Sequence, residues 1–339
     1  MRKSRYSKLI YLQIFALIFG VLFLCFLVYK VGFESIYSTI SKIGWGFLVI
    51  LVLNGARHFI RAYCLYLAVP KHLRTFKYQS VLAVRLSGES VSFMTFAGPF
   101  LGESTKAALL RKFMPLSNSG AAVIIDNLLY YLSVLLIMIV GSIAMALKYA
   151  NSEQINSALL LISALGILSI IGLFLAAYFR IKPISFLIRK AEQRSLSPKF
   201  VSSKRDWIEQ LETNVHDTFE NRRGTFLAIF GLIWVAHFLS IFEVFAALTF
   251  LGYSPTFLSA FIIEALTKVI NFAFSFVPGT VGVYEGGNAL ILRALGYSAA
   301  VGIALAFVRR GAIIFWTVVG AAILAWTGVL KTSKSISRR

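Results

Sequence analysis

A chain of 339 residues that is 58% hydrophobic and only 14% charged, with a mean hydropathy of +0.78, is excluded from the soluble globular class. Its apolar runs of about 20 residues match the hydrocarbon thickness of a bilayer. The 34 Lys and Arg against 14 Asp and Glu would point to nucleic acid in a soluble protein, but in a membrane protein the same excess reports orientation, and no nucleic-acid partner is expected. Cys25 and Cys64 both fall inside apolar runs and support neither a disulfide framework nor a metal site.

Taken in chain order, the basic stretch MRKSRYSK precedes an apolar run from Leu9 to Tyr29. At about 21 residues the run is too long for a signal-peptide core, and it reads as a retained helix. Further segments able to span lie at 45–69, 119–147, 155–179, 225–251 and 300–330, whereas 77–105 and 257–292 are interrupted by Pro, Gly and charges. If each interrupted segment enters the membrane and returns to the same side, stretches 1–8, 70–78, 106–113, 180–223 and 331–339 carry 24 basic residues on one side. The other side keeps 4, Lys30, Lys42, Lys148 and Arg293. That bias puts both termini in the cytoplasm, with the protein in the cell (inner or plasma) membrane. Within 180–223, Trp207, Leu211, Val215 and Phe219 recur every four residues among Asp206, Glu209, Glu212 and Glu220, which predicts an amphipathic cytoplasmic linker helix. Its mixed charge is unlike the uniformly basic face of an anionic-lipid sensor.

Sliding the chain by 179 residues brings Phe47, Leu48, Ile50, Leu53, His58 and Phe59 onto Phe226, Leu227, Ile229, Leu232, His237 and Phe238. The same offset places Ser80 on Ser259, Phe93 on Phe272, Pro99 on Pro278, Ala121 on Ala300, Ile124 on Ile303 and Gly141 on Gly320. Three full spans separate equivalent points, and an odd number inverts the second copy. The expected fold is therefore an all-α polytopic membrane protein, one transmembrane domain over 1–339. It has about six full spans plus two oppositely entering re-entrant helical hairpins, arranged as inverted halves at 45–147 and 225–330.

Broken backbone at membrane depth survives only where protein or a water-filled cavity surrounds it. Gly98, Pro99 and Gly102 are expected to break the first hairpin, and Pro278, Gly279 and Gly282 the second. The amides of each restarting helix, with Lys106 after the first break, would suit a phosphate or carboxylate. Glu103 and Glu285 either stabilise those restarts or belong to a substrate path.

Arg57, Arg61, Arg85, Glu89, Asp126, Glu243, Glu264, Lys268, Arg309 and Arg310 also lie at membrane depth. Each would cost about 2.5–3.5 kcal/mol at the centre of a lipid-facing helix, so they are expected to face inward and pair. Arg57 and Arg61 share a helical face, while Arg85 with Glu89 and Glu264 with Lys268 are four residues apart. The repeat sets Arg85 opposite Glu264. His58 and His237 are candidates either for proton carriage or for packing.

The segments GPFLGESTKAALL, DNLLYYL and VPGTVGVYEGG resemble the lysylphosphatidylglycerol synthase transmembrane-region family, over about residues 5–330. The resemblance implies a lipid flippase or lipid transporter with two re-entrant hairpins meeting centrally. By motif position it carries Pro99, Gly102, Glu103, Pro278, Gly279, Gly282, Glu285 and Gly286. No aminoacyl-transferase domain follows residue 339 in this sequence, so a transporter rather than an enzyme is expected.

The expected substrate is an anionic or aminoacylated phospholipid, or a hopanoid-like lipid, its head group passing through a polar cavity lined by the ionisable residues above. A separate lipid-synthesising enzyme and a second copy of the chain are the candidate protein partners, and no cofactor is expected. No G-x-x-x-x-G-K-[ST] element occurs, so uphill movement would draw on an ion gradient. The alternatives are an intramembrane transferase or hydrolase, which would want a denser His or acidic cluster, and an ion-coupled small-solute transporter.

Overall fold

The computed structural model describes residues 22, 25–26, 28–95, 98–148, 153–178, 182–193, 205–275 and 277–327. Among these, all regular structure is helical. A short helix α1 (Phe33–Ile40) leads into α2 (Gly46–Ala68), followed by α3 (Tyr78–Met94), α4 (Gly98–Leu110), α5 (Leu116–Lys148) and α6 (Glu153–Tyr178). After α7 (Pro183–Gln193) and α8 (Arg205–Asn221) come α9 (Arg223–Phe250), α10 (Phe257–Ala273), α11 (Val283–Ala294) and α12 (Ala299–Thr327). By length and composition α2, α5, α9 and α12 can cross a membrane, and α6 carries a shorter apolar stretch, Asn156–Gly172. The expected span 9–29 lies almost wholly outside the described residues.

Each interrupted segment resolves into two short helices. With 17, 13, 17 and 12 residues, α3, α4, α10 and α11 reach roughly 18–26 Å at 1.5 Å per residue, less than a full hydrocarbon core. The second break is a 3₁₀ turn, Pro278–Thr280, with left-handed backbone at Gly279 (φ 57°) within it and at Gly282 (φ 79°) after it, conformations that glycine adopts without steric cost. Thr280 (φ 50°) shares that region without glycine's freedom, and Arg310 Nη1 holds the turn by donating to Gly279 O at 3.1 Å.

The first hairpin departs from expectation. Gly98 and Pro99 open α4, but Gly102 sits inside that helix and breaks nothing. A Cβ on Gly102 would lie 2.7 Å from Gly88 O, so this glycine lets α4 press against α3. Gly286 likewise lies within α11, buried. Helices in a membrane gain little from excluding lipid and rely on close van der Waals contact, which small residues permit.

The 179-residue spacing recurs in the helices: α3 and α10 begin and end that far apart. It recurs in contacts too. A Cβ on Gly141 of α5 would lie 2.1 Å from Ala265 Cβ on α10, and one on Gly320 of α12 would lie 2.1 Å from Leu86 O on α3, each residue being 179 from its counterpart. The central helices α2 and α9 run antiparallel, with Gly46 against Phe250, Asn54 beside Glu243 and Cys64 beside Ile229 O.

Two apolar layers are built along these helices. One gathers Ile50, Val244, Leu248, Ile262, Leu292 and Leu305; the other gathers Leu65, Val81, Leu110, Ile125, Leu129 and Ile233. The polar residues of α2 and α9 lie between them in sequence, from Asn54 to Arg61 and from His237 to Glu243. In the linker, α8 turns Leu211 and Val215 inward as its periodicity predicts, and packs on α5 and α9. The side chains of Trp207 and Phe219 lie outside those described.

Candidate functional site: an ion-lined cavity between the hairpins

Burying charge is tolerable only where each group finds an opposite partner and hydrogen bonds. The membrane-depth residues find opposite partners in connected chains, with Arg61 Nε and Nη1, Arg85 Nε, Asp126 Oδ1 and Arg309 Nη1 left buried without a hydrogen bond among the described residues. On the α3–α4 side, Asp126 of α5 accepts from Arg61 Nη2 at 2.9 Å and from Arg85 Nη1 at 3.4 Å. Arg85 also pairs with Glu89 at 3.1 Å, while Lys106 Nζ lies 2.8 Å from both Glu89 and Glu103. Asn127 donates to the other oxygen of Glu103 at 2.5 Å. The guanidinium of Arg61 stacks 4.2 Å over the Tyr130 ring.

On the α10–α12 side, Glu264 joins Lys268 at 2.7 Å and Arg309 at 2.8 Å and accepts from Ser240 at 2.6 Å. Arg309 continues to Glu243 at 3.0 Å, which also takes Arg57 at 2.8 Å. Arg57 therefore ties α2 to α9 and α12. A third pair, Arg310 with Glu285 at 2.7 Å, secures the start of α11. Altogether seven cations, Arg57, Arg61, Arg85, Lys106, Lys268, Arg309 and Arg310, meet six carboxylates, Glu89, Glu103, Asp126, Glu243, Glu264 and Glu285.

Two adjoining cavities, of about 400 and 220 Å³, open among these groups and share Asn54, Arg57, His58, Glu89, Pro99 and Tyr130 as walls. Exposure separates the supporting charges from those that face the space. Asp126, Glu243, Glu264 and Glu285 are at most 3% exposed at the side chain, against 28% for Arg57, 34% for Glu89 and 27% for Glu103. The cavity is thus offered one guanidinium and two carboxylates on a scaffold of buried pairs. Phe93, Val277, Ile313 and Trp316 give the larger cavity an apolar wall.

Several expectations are met. The membrane-depth charges pair, and the two i,i+4 pairs form. Others are corrected. Arg85 and Glu264 are not partners: Arg85 is taken by Asp126 and Glu89, and Glu264 by Arg309 and Lys268. Lys106 is 1% exposed, held between Glu89 and Glu103 and unable to meet a phosphate while it stays there. The start of α11 is closed by its own residue, since Glu285 Oε2 accepts from Gly282 N at 2.8 Å and neutralises the amides expected to take an anion. Glu103 is not a first-turn acid; it is the sixth residue of α4.

Both histidines are packed. His237 stacks on Tyr130 with ring centres 5.4 Å apart and hydrogen-bonds Ser133 Oγ at 2.8 Å, and His58 lies against Trp316 at 5.8 Å. Asn54 and Trp316 are neutral residues that carry no sequence signal until the helices are assembled, and Asn127 and Tyr130 fall within the segment DNLLYYL, where nothing in their type or spacing marks them as cavity residues.

Compared with known proteins, the chain matches no curated protein and no solved structure. The lysylphosphatidylglycerol synthase TM region family, however, matches residues 13–321, nearly the whole chain and all the helices that build the cavity. The chain belongs to the lysylphosphatidylglycerol synthase transmembrane-region family.

Proposed function

We propose that this membrane protein moves a lipid between leaflets, its polar head group passing through the ion-lined cavity while the tails stay in the bilayer. One observation carries the reading: a cavity of about 400 Å³, lined by Arg57 and Glu89, bordered by Phe93, Ile313 and Trp316 and bounded by two hairpins of short helices. A charged head group and an apolar tail are both accommodated along one wall. Arg57 suits a phosphate and Glu89 and Glu103 an amine, so an anionic or aminoacylated phospholipid fits better than a neutral lipid.

The antiparallel α2 and α9, and the recurring 179-residue spacing, support two inverted halves. In that arrangement a site lies at the interface and opens alternately to either side. The cytoplasm would hold the basic loops, in the inner or plasma membrane, and a separate enzyme would make the lipid. No bond-making step is assigned: every carboxylate at the cavity is engaged by a cation or amide, which suits holding charge rather than proton transfer.

Photo-crosslinking tests the reading. Phospholipids with a diazirine in the head group should label Tyr130 and its neighbours, and those with a diazirine in the acyl chain should label Ile313 and Trp316. Absence of labelling by either probe, with labelling by a water-soluble anion probe, would point instead to an enclosed solute carrier.

A further inference from the structure

A third cavity, of about 890 Å³, lies away from the hairpins, between the loop after α2, the C-terminal part of α8 and the start of α9. Its cations are Lys71, Arg74, Arg222 and Arg223, with Asp217 as the carboxylate in the wall. Arg74 donates to Val69 O at 2.9 Å and Leu67 O at 2.7 Å, and Arg222 donates to the same two carbonyls at 3.1 and 2.8 Å and to Ala68 O at 3.0 Å. Two guanidiniums are thereby fixed side by side on the C-terminal end of α2. The partial negative charge of a helix end, about half an elementary charge, cannot balance them.

Among the described residues none of these four cations forms an ion pair, and Asp217 is itself bonded by Asn221. Burial pushes both guanidiniums below the usual arginine range, and Arg74 pushes Arg222 further while Asp217 opposes it. The site sits where α2 ends and α9 begins, two helices long enough to cross the bilayer, and hence at head-group depth.

We infer that this pocket is a phosphate-binding site at the membrane surface, separate from the transport cavity, which takes the phosphate of an anionic lipid head group or a free phosphate. Lys71 and Arg223, both exposed, reach the ligand, while Arg74 and Arg222 provide a preset positive floor. Basic pockets between membrane helices are suited to such head groups, and fixed guanidiniums lose little freedom on binding. An occupied pocket would bridge α8, the loop 70–74 and α9, joining the linker to the halves it connects. The mixed charge of α8 does not offer this; the loop 70–74 together with Arg222 and Arg223 at the start of α9 does.

The test uses delipidated full-length protein in detergent, with thermal unfolding followed as dioctanoyl phosphatidylglycerol, dioctanoyl phosphatidylcholine or inorganic phosphate is added. A ligand that binds the folded state raises the midpoint with concentration. Phosphatidylglycerol should raise it more than phosphatidylcholine, and the apparent affinity should fall at least fivefold in Lys71→Gln/Arg223→Gln, whose side chains hold no helix end. A match by inorganic phosphate would identify a free-anion site; response to the lipid alone would identify a lipid site. Equal affinity in wild type and the double variant, or no response to any probe, would overturn the inference. Lipid translocation by the same wild-type protein is scored separately, so failure here leaves the transport reading standing.

Discussion

Asp126 shows what single residues contribute. It is 1% exposed and holds Arg61 and Arg85 together, so Asp126→Ala leaves two guanidiniums buried without their shared counter-ion. Removing one member of a buried ionic network costs about 3–5 kcal/mol. Unfolding in detergent should show a loss of that size for Asp126→Ala and a smaller one for Asp126→Asn, which keeps an acceptor; equal stability to wild type would mean the cluster is solvated. At this scale the sequence was partly legible. The pairs Arg85–Glu89 and Lys268–Glu264 follow from helical spacing alone, whereas Arg61–Asp126 spans 65 residues and depends on which faces α2 and α5 turn to each other. Lys106 was misread because its burial depends on Gly88. A Cβ there would lie 2.4 Å from Lys106 Cγ, so the missing side chain of one residue makes the path for another.

Among the helices, glycines do two different jobs that look alike in sequence. Gly279 and Gly282 adopt left-handed backbone in the turn that leads into α11; Gly102, Gly141 and Gly320 are helical and permit close crossing. Only the neighbouring helix distinguishes them, which is why Gly102 read as a break. The crossing role can be checked directly. Gly141→Val and Gly320→Val place atoms about 2 Å from Ala265 and from the Leu86 backbone, and each should lower the unfolding midpoint strongly. Gly231→Val and Gly172→Val, where a Cβ would meet nothing within 4 Å, should change it little. Similar effects at all four positions would remove the case that α5–α10 and α12–α3 are matched crossings. The existence of α3 and α10 as interrupted elements was legible from Pro, Gly and charge; their ends were not, because the extended Thr95 (ψ 152°) carries no strong sequence signal.

For the whole molecule, class was legible from composition and the pairing of buried charge from the cost of leaving it in lipid. Family membership followed from short motifs that, in the folded chain, line the hairpins. What could not be read was where the charges meet. Asp126 and Glu243, rather than the residues of the breaks, are the junctions of the two networks, and Arg57 crosses from α2 to Glu243 of α9. If the halves rock against each other, that bridge is remade in each cycle. Arg57→Gln should therefore slow lipid movement severalfold while altering stability less than Asp126→Ala, because Arg57 is 28% exposed at the side chain.

The central claim is lipid translocation, and it is measured by placing purified protein in liposomes that carry fluorescent phospholipids of different head groups, then adding a quencher that cannot cross the bilayer. Inner-leaflet label should become quenchable at a protein-dependent rate, fastest for anionic or aminoacylated head groups and reduced in Arg57→Gln and Glu89→Gln. Rates equal to protein-free liposomes for every head group, with the reconstituted protein folded, would contradict the account.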